Sequence, residues 1–181
     1  MLCHKSSDYP KRKNIRLLGY DYSTPANYFL TIVVLNRKCL LGNISNGEIV
    51  LSEVGEMVRK TLKEVANKFE DSGIPHYVIM PNHIHLIIQN TGGDRINEIV
   101  RWMKSLTTNR YLRSIKGKEC SHGYNKLWQR NYYDHIIRNQ HSYDYIANYI
   151  FTNPQRWKYD KLNSDCVEDS DDVNAEIKRL E

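Results

Sequence analysis

The stretch His76–Asn90, HYVIMPNHIHLIIQN, carries most of the information about the fold. It holds two β-branched runs, Tyr77-Val78-Ile79 and Leu86-Ile87-Ile88, on either side of Pro81-Asn82. Short apolar runs divided by a Pro/Asn break predict two adjacent strands. The second run opens on His83-Ile84-His85. Successive strand side chains point to opposite faces, so His83 and His85 share one face and Ile84 takes the other. Two imidazoles on one face can converge on a single divalent ion. Spacing alone favours the plainer reading, a pair of histidines at the exposed end of a strand.

Upstream, Asp21-Tyr22-Ser23-Thr24-Pro25 is turn chemistry, and Tyr28–Leu35 reads as a first strand ended by Asn36-Arg37-Lys38. Gly42 to Gly47 is a loop or a short hairpin. From Ser52 the period changes. Val54, Met57, Val58, Leu62, Val65, Ala66 and Phe69 recur at three and four, which predicts an amphipathic helix with Ser52 as N-cap and Asp71-Ser72-Gly73 as its stop.

Downstream of Thr91-Gly92-Gly93-Asp94 a second helix places Ile96, Ile99, Val100, Met103 and Leu106 inward. Arg95, Lys104, Thr108 and Arg113 fall on its outer face. Residues 115–127 form a loop, Asp134–Arg138 a fourth strand, and Ser142 caps a last helix from Tyr143 to about Thr152, which Pro154 terminates. Strand, helix, two strands, helix, strand, helix predicts an α+β fold. It is the ferredoxin-like βαββαβ sandwich, an antiparallel sheet with helices packed on it, plus an additional C-terminal helix.

A chain of 181 residues with 40% hydrophobic content and a mean hydropathy of −0.64 suits one globular domain. We expect a basic arm over 1–20, a domain over 21–160 and an acidic tail over 161–181. No apolar run nears the roughly 20 residues of a membrane span, and the N-terminus lacks the apolar segment of a signal peptide. Cys3, Cys39, Cys120 and Cys166 are scattered without a CxxC, as in a reduced, cytoplasmic protein. Charge is uneven. Residues 160–181 hold eight acids against Lys161, Lys178 and Arg179, which leaves 23 bases and 13 acids in residues 1–159. A basic body points to a polyanion partner, most simply nucleic acid.

On the last helix Tyr145, Tyr149 and Asn153 lie four apart and share a face, beside the apolar pair Ile146 and Ile150. A phenol one turn from an amide oxygen and near two histidines suits phosphoryl chemistry. The tyrosine would attack, while His, His and Asn hold a divalent ion. Amphipathic packing accounts for the tyrosines too. Pro154 also biases Asn153 away from helical geometry, as suits a plain C-cap.

MPNHIHLII resembles the HUH motif (His, hydrophobic, His) of single-tyrosine transposases. WQRNYYDHIIRN followed by YIFTNPQRW resembles the C-terminal signature of the REP-associated tyrosine transposases in that group, and the GYDYS–YFLT segment is similar to their N-terminal strand region. The resemblance runs from about Gly19 to Asp160.

The resemblance implies a metal-dependent single-strand DNA endonuclease and strand transferase. His83 and His85 would be the metal pair and Tyr149 the nucleophile. Asn153 would stand where the family has its third ligand, around Mg²⁺ or Mn²⁺. The substrate implied is single-stranded DNA beside a hairpin formed by a REP-like palindrome, and the intermediate a 5′-phosphotyrosine with a free 3′-OH. Family members include monomers and homodimers, and the expected setting is the nucleoid. Candidate DNA contacts are Lys11, Arg12 and Lys13 in the arm, Lys104, Arg130 and Arg138. Trp102, Tyr132, Tyr133 and Trp157 are candidate base-stacking platforms, and Trp128 a core residue. A domesticated hairpin-binding protein without transposition activity is the competing reading. An RNA-binding module is weaker still, because no Gly/aromatic-rich strand of that type is present.

Overall fold

The computed structural model describes residues 21–116, 126–163, 176, 177, 179 and 180. Four strands form one antiparallel sheet: β1 (Ala26–Val33), β4 (Ser72–Ile79), β5 (His83–Asn90) and β6 (Tyr133–Ile137), in the order β4-β5-β1-β6. Between β1 and β4 the chain makes a hairpin, β2 (Gly42–Ser45) and β3 (Glu48–Leu51), then α1 (Glu53–Lys63) and the single turn α2 (Val65–Lys68). Helix α3 (Ile96–Ile115) joins β5 to β6, and α4 (Gln140–Thr152) follows β6. Leaving the small hairpin aside, this is the expected βαββαβ sandwich with an extra C-terminal helix.

Alternation along the two central strands sorts the core into two layers. Tyr28, Leu30 and Ile32 of β1 and Ile84, Leu86 and Ile88 of β5 point to one face, where Val58 and Leu62 of α1 and Ile96, Ile99, Val100 and Met103 of α3 cover them. Phe29 and Ile87 point to the other face and are covered by Ile146 and Ile150 of α4. With helices on both sides, β5 is buried almost throughout, as a near-continuous apolar run requires. His83 and His85 share their pleat with Ile87, so they lie under α4.

Local chemistry accounts for most boundaries. Ser52 caps α1 by accepting from the Gly55 N–H at 3.1 Å and donates to the Leu40 carbonyl at 2.6 Å. A Cβ on Gly55 would run into the Leu41 carbonyl, so the helix start packs closely on the preceding chain. Asn46 and Gly47, with φ of 53° and 76°, make the left-handed two-residue turn that pairs β2 with β3. The ambiguous Gly42–Gly47 segment is therefore a hairpin.

Several boundaries depart from the sequence reading: β1 is Ala26–Val33 rather than Tyr28–Leu35, and the one helix expected through Phe69 breaks after Lys63 into α1 and α2. β4 begins at Ser72 rather than Tyr77, because Ser72 and Gly73 pair with Asn90 and Gln89. The register shifts between Gly73 and His76, which accommodates Pro75 on this edge strand. The cap of α4 is Asn139, whose side chain accepts from the Ser142 N–H at 2.8 Å, so the helix starts before Tyr143. Pro154 does not stop the helical path either. It sits in the first turn of a 3-10 segment, Asn153–Tyr159, where a missing N–H costs no bond.

The tail's described end is part of the domain. Ile177 is fully buried against the α4 layer, and the Leu180 carbonyl accepts from Asn139 at 3.0 Å and Ser142 at 3.3 Å. Among the described residues no helix is long and apolar enough to cross a membrane.

Candidate active site

In the antiparallel register His83 lies opposite Val33 and His85 opposite Thr31. The two imidazoles are not at an exposed strand end: both are buried, and their Nε2 atoms are 3.0 Å apart. Each ring is held from behind. The Asn82 side-chain NH₂ donates to the carbonyls of Arg37 at 3.2 Å and Leu162 at 2.7 Å, which turns its Oδ1 toward His83 Nδ1 at 2.8 Å. That oxygen can only accept, so His83 carries its proton on Nδ1 and presents a lone pair at Nε2. His85 Nδ1 lies 2.8 Å from Thr31 Oγ1, and its ring stacks on Phe29 at 5.4 Å. Burial holds His83 well below the usual imidazole range, with His85 beside it adding to the effect, and takes His85 down to about 3. Both rings are thus neutral, the form that binds metal.

Helix α4 lays Tyr149 over this pair, its hydroxyl 3.3 Å from His85 Nε2 and its ring edge-on to Phe29 at 6.2 Å. Hydroxyl and imidazoles come from the same chain. Tyr143 lies elsewhere, against His76. Burial raises the Tyr149 pKa first and the Asp160 charge second, while a hydrogen bond from the Asn153 side chain opposes them. Asn153 keeps helical geometry, with φ −55° and ψ −41°, against the bias expected before proline. It is 2% exposed, and its Oδ1 has no hydrogen-bond partner.

The sequence reading missed Asp160. This residue ends the 3-10 segment, and its Oδ2 lies 3.5 Å from His83 Nε2. One ligand atom each from His83, His85 and Asp160 falls within 4.8 Å of the others. The contact is not an ion pair, since burial keeps His83 neutral. Asp160 had been counted with the acids of the tail. The available signal was its spacing, seven residues or about two helical turns after Asn153. Asn82 and Thr31, which orient the rings, had no signal beyond adjacency or register.

The expected DNA contacts separate. Lys11, Arg12 and Lys13 lie outside the described residues. Lys104 is half-buried, and its Nζ donates to the carbonyls of Gln129 at 2.5 Å, Arg130 at 2.9 Å and Asn131 at 3.5 Å. Burial lowers its pKa to about 8, although three acceptors favour the charged form. These bonds hold the irregular segment of residues 129–131 that leads into β6. Arg130 and Arg138 are exposed on either side of β6. Among the aromatics, Trp128 is core and donates to Thr107 Oγ1 at 2.7 Å. Trp102 packs edge-on to Phe69 at 5.7 Å, between helices, while Trp157 lies 6.1 Å from the His83 ring and borders the site.

The sequence model described as "Transposase IS200 like" matches residues 35–153. The chain is 34% identical over 169 residues to an uncharacterized protein of Haemophilus influenzae, covering 85% of this chain and 94% of that protein. It is 28% identical over 148 residues to the REP-associated tyrosine transposase of Escherichia coli K12, covering 80% and 75%. In three dimensions it is similar to a REP-associated tyrosine transposase solved with a REP hairpin. The TM-score is 0.58 and identity 23%, over 78% of this chain and 74% of that one.

Proposed function

Because the chain belongs to the IS200-like transposase family, we propose that it cuts and rejoins single-stranded DNA beside a hairpin, with Tyr149 as nucleophile. The observation that supports this reading is the Tyr149 hydroxyl, 3.3 Å from His85 Nε2 in a site that also holds His83.

His83, His85 and Asn153 would hold a divalent ion, Mg²⁺ or Mn²⁺. Two features of the chain fit such an ion. The Asn153 Oδ1 is buried with no partner, which is costly for a polar atom unless a ligand takes it up. The Nε2 atoms stand 3.0 Å apart, the separation of two donors at right angles about 2.1 Å from one centre. When bound, a divalent ion supplies charge neutralisation at the scissile phosphate.

The chain's own groups do the rest. Tyr149 Oη forms a bond to phosphorus as the bond from phosphorus to the 3′-oxygen breaks. The phenol loses its proton, the departing 3′-oxygen gains one, and the 5′-phosphate stays on the tyrosine. Burial first and the Asp160 charge second raise the phenol pKa, so Tyr149 meets the phosphate protonated and must lose its proton as the bond forms. Attack by a 3′-hydroxyl on the phosphotyrosine reverses the step and needs no ATP. Exposed Arg130 and Arg138 would contact phosphates, in the cytoplasm at the nucleoid.

A hairpin oligonucleotide labelled at its 3′ end tests the reading, since the label stays with the phosphotyrosine fragment. Wild-type protein with Mn²⁺ should give a denaturation-resistant labelled adduct. Tyr149→Phe should bind the hairpin and give none. Wild-type protein that binds without any adduct would instead be a hairpin-binding module. An adduct mapped to Tyr145 would remove Tyr149 from its role.

A further inference from the structure

The geometry points to Asp160 as an anionic ligand of the same divalent ion, so that the donor set is His83, His85, Asn153 and Asp160. This rests on the proposed metal site and extends it.

Asp160 Oδ1 is already engaged, accepting the Leu162 N–H at 2.7 Å. That bond fixes the carboxylate plane and leaves Oδ2 directed at the imidazole pair, 3.5 Å from His83 Nε2. The side chain is only 9% exposed. A carboxylate that deep in a protein is ordinarily paired with a cation or bound to a metal. Here Oδ2 faces an imidazole whose other nitrogen carries the proton, because the Asn82 amide dictates that tautomer. Two lone pairs, on Nε2 and Oδ2, therefore face each other. A divalent ion between them satisfies both lone pairs.

Placement supports the same conclusion. Tyr149, Asn153 and Asp160 follow one another along a single helical path, α4 and the 3-10 segment that continues it. The nucleophile and both non-histidine donors thus come from one continuous stretch of chain, while β5 carries the histidines. Chemistry also favours a carboxylate. Two imidazoles alone suit softer ions, whereas an added oxygen anion favours Mg²⁺ and Mn²⁺ and leaves a charge of +1 to face a phosphate.

The test is Mn²⁺ binding to DNA-free protein, read from the electron paramagnetic resonance signal of free Mn²⁺ and by calorimetry. Asp160→Asn keeps the shape and an oxygen for the Leu162 N–H but removes the charge. It should weaken Mn²⁺ at least tenfold, with its thermal melt in EDTA no lower than wild type. Asp160→Glu, which restores the charge, should recover part of the affinity. Wild-type Mn²⁺ affinity in Asp160→Asn, alongside loss of binding in His83→Ala, would overturn this assignment and leave the rest of the site standing. Wild-type affinity in His83→Ala as well would remove the metal site itself. Should Asp160→Asn fold poorly, the Mn²⁺ complex of wild-type protein carrying carboxyl-13C-labelled aspartate decides: no manganese–13C coupling overturns the assignment.

Discussion

His83 and His85 stand two residues apart, yet each is oriented by a different part of the chain, His83 by Asn82 and His85 by Thr31. Outer hydrogen bonds of this kind set the tautomer and direction of a ligating ring, and losing one costs about 10–100-fold in metal affinity or activity. Thr31→Val should therefore lower Mn²⁺ affinity in that range while leaving the fold intact, as binding isotherms and circular dichroism would show. His83→Ala and His85→Ala should abolish metal-dependent cleavage yet keep most hairpin affinity in a gel-shift assay, since phosphate contacts supply binding. Either variant cutting at the wild-type rate would make the histidines structural. Burial also has a consequence in acid. The folded state holds His85 at about 3, whereas an unfolded histidine takes up its proton near 6.5. Between these values the unfolded chain binds more protons, so metal-free stability is full above about pH 6.5 and falls as pH drops toward 3. Thermal melts in EDTA should decline across that window, less steeply when His85 is replaced by Gln.

At the scale of elements, α4 matters most, because it carries Tyr149 and ends on Asn153 as its C-cap. Its position rests on Ile146 and Ile150, packed on Phe29 and Ile87 from the opposite side of the sheet to α1 and α3. Ile146→Ala should cost about 2–5 kcal/mol by urea denaturation, the usual range for an emptied core site. It should also slow cleavage more than it weakens hairpin binding, since a shifted helix misplaces the phenol. Equal losses in both would mean that α4 positions DNA as well. Asn139→Ala should cost about 1 kcal/mol through the lost cap. Its amide also donates to the Leu180 carbonyl, so the effect should shrink in a chain that lacks the final segment.

For the whole molecule, charge and closure act together. With 23 bases against 13 acids in residues 1–159, hairpin binding should weaken steeply as salt rises from about 50 to 200 mM, because phosphate contacts release condensed counterions. A flat salt dependence in filter binding would show that phosphate contacts are few. Removing residues 164–181 takes away seven acids and two bases, which by itself strengthens DNA binding. The same truncation uncovers the α4 layer where Ile177 is fully buried. The truncated chain should therefore melt at a lower temperature, and a melt equal to wild type would show that Ile177 contributes nothing there.

Local patterns are legible in a sequence because strand and helix periods are fixed by backbone geometry. The period of two put His83 and His85 on one face, and the period of 3.6 stacked Tyr145, Tyr149 and Asn153. The order of elements followed from the same patterns and predicted the βαββαβ sandwich. Periodicity cannot say which face meets which. Only the tertiary structure brings the α4 face over the histidine face of β5, 64 residues away in the chain for Tyr149 and His85. It alone turns Lys104 inward to three carbonyls and extends β4 back to Ser72 through pairing with Asn90. It also draws Asp160 out of an acidic run to the imidazoles. In each case the deciding contact joins residues far apart in sequence, and no local propensity encodes the partner.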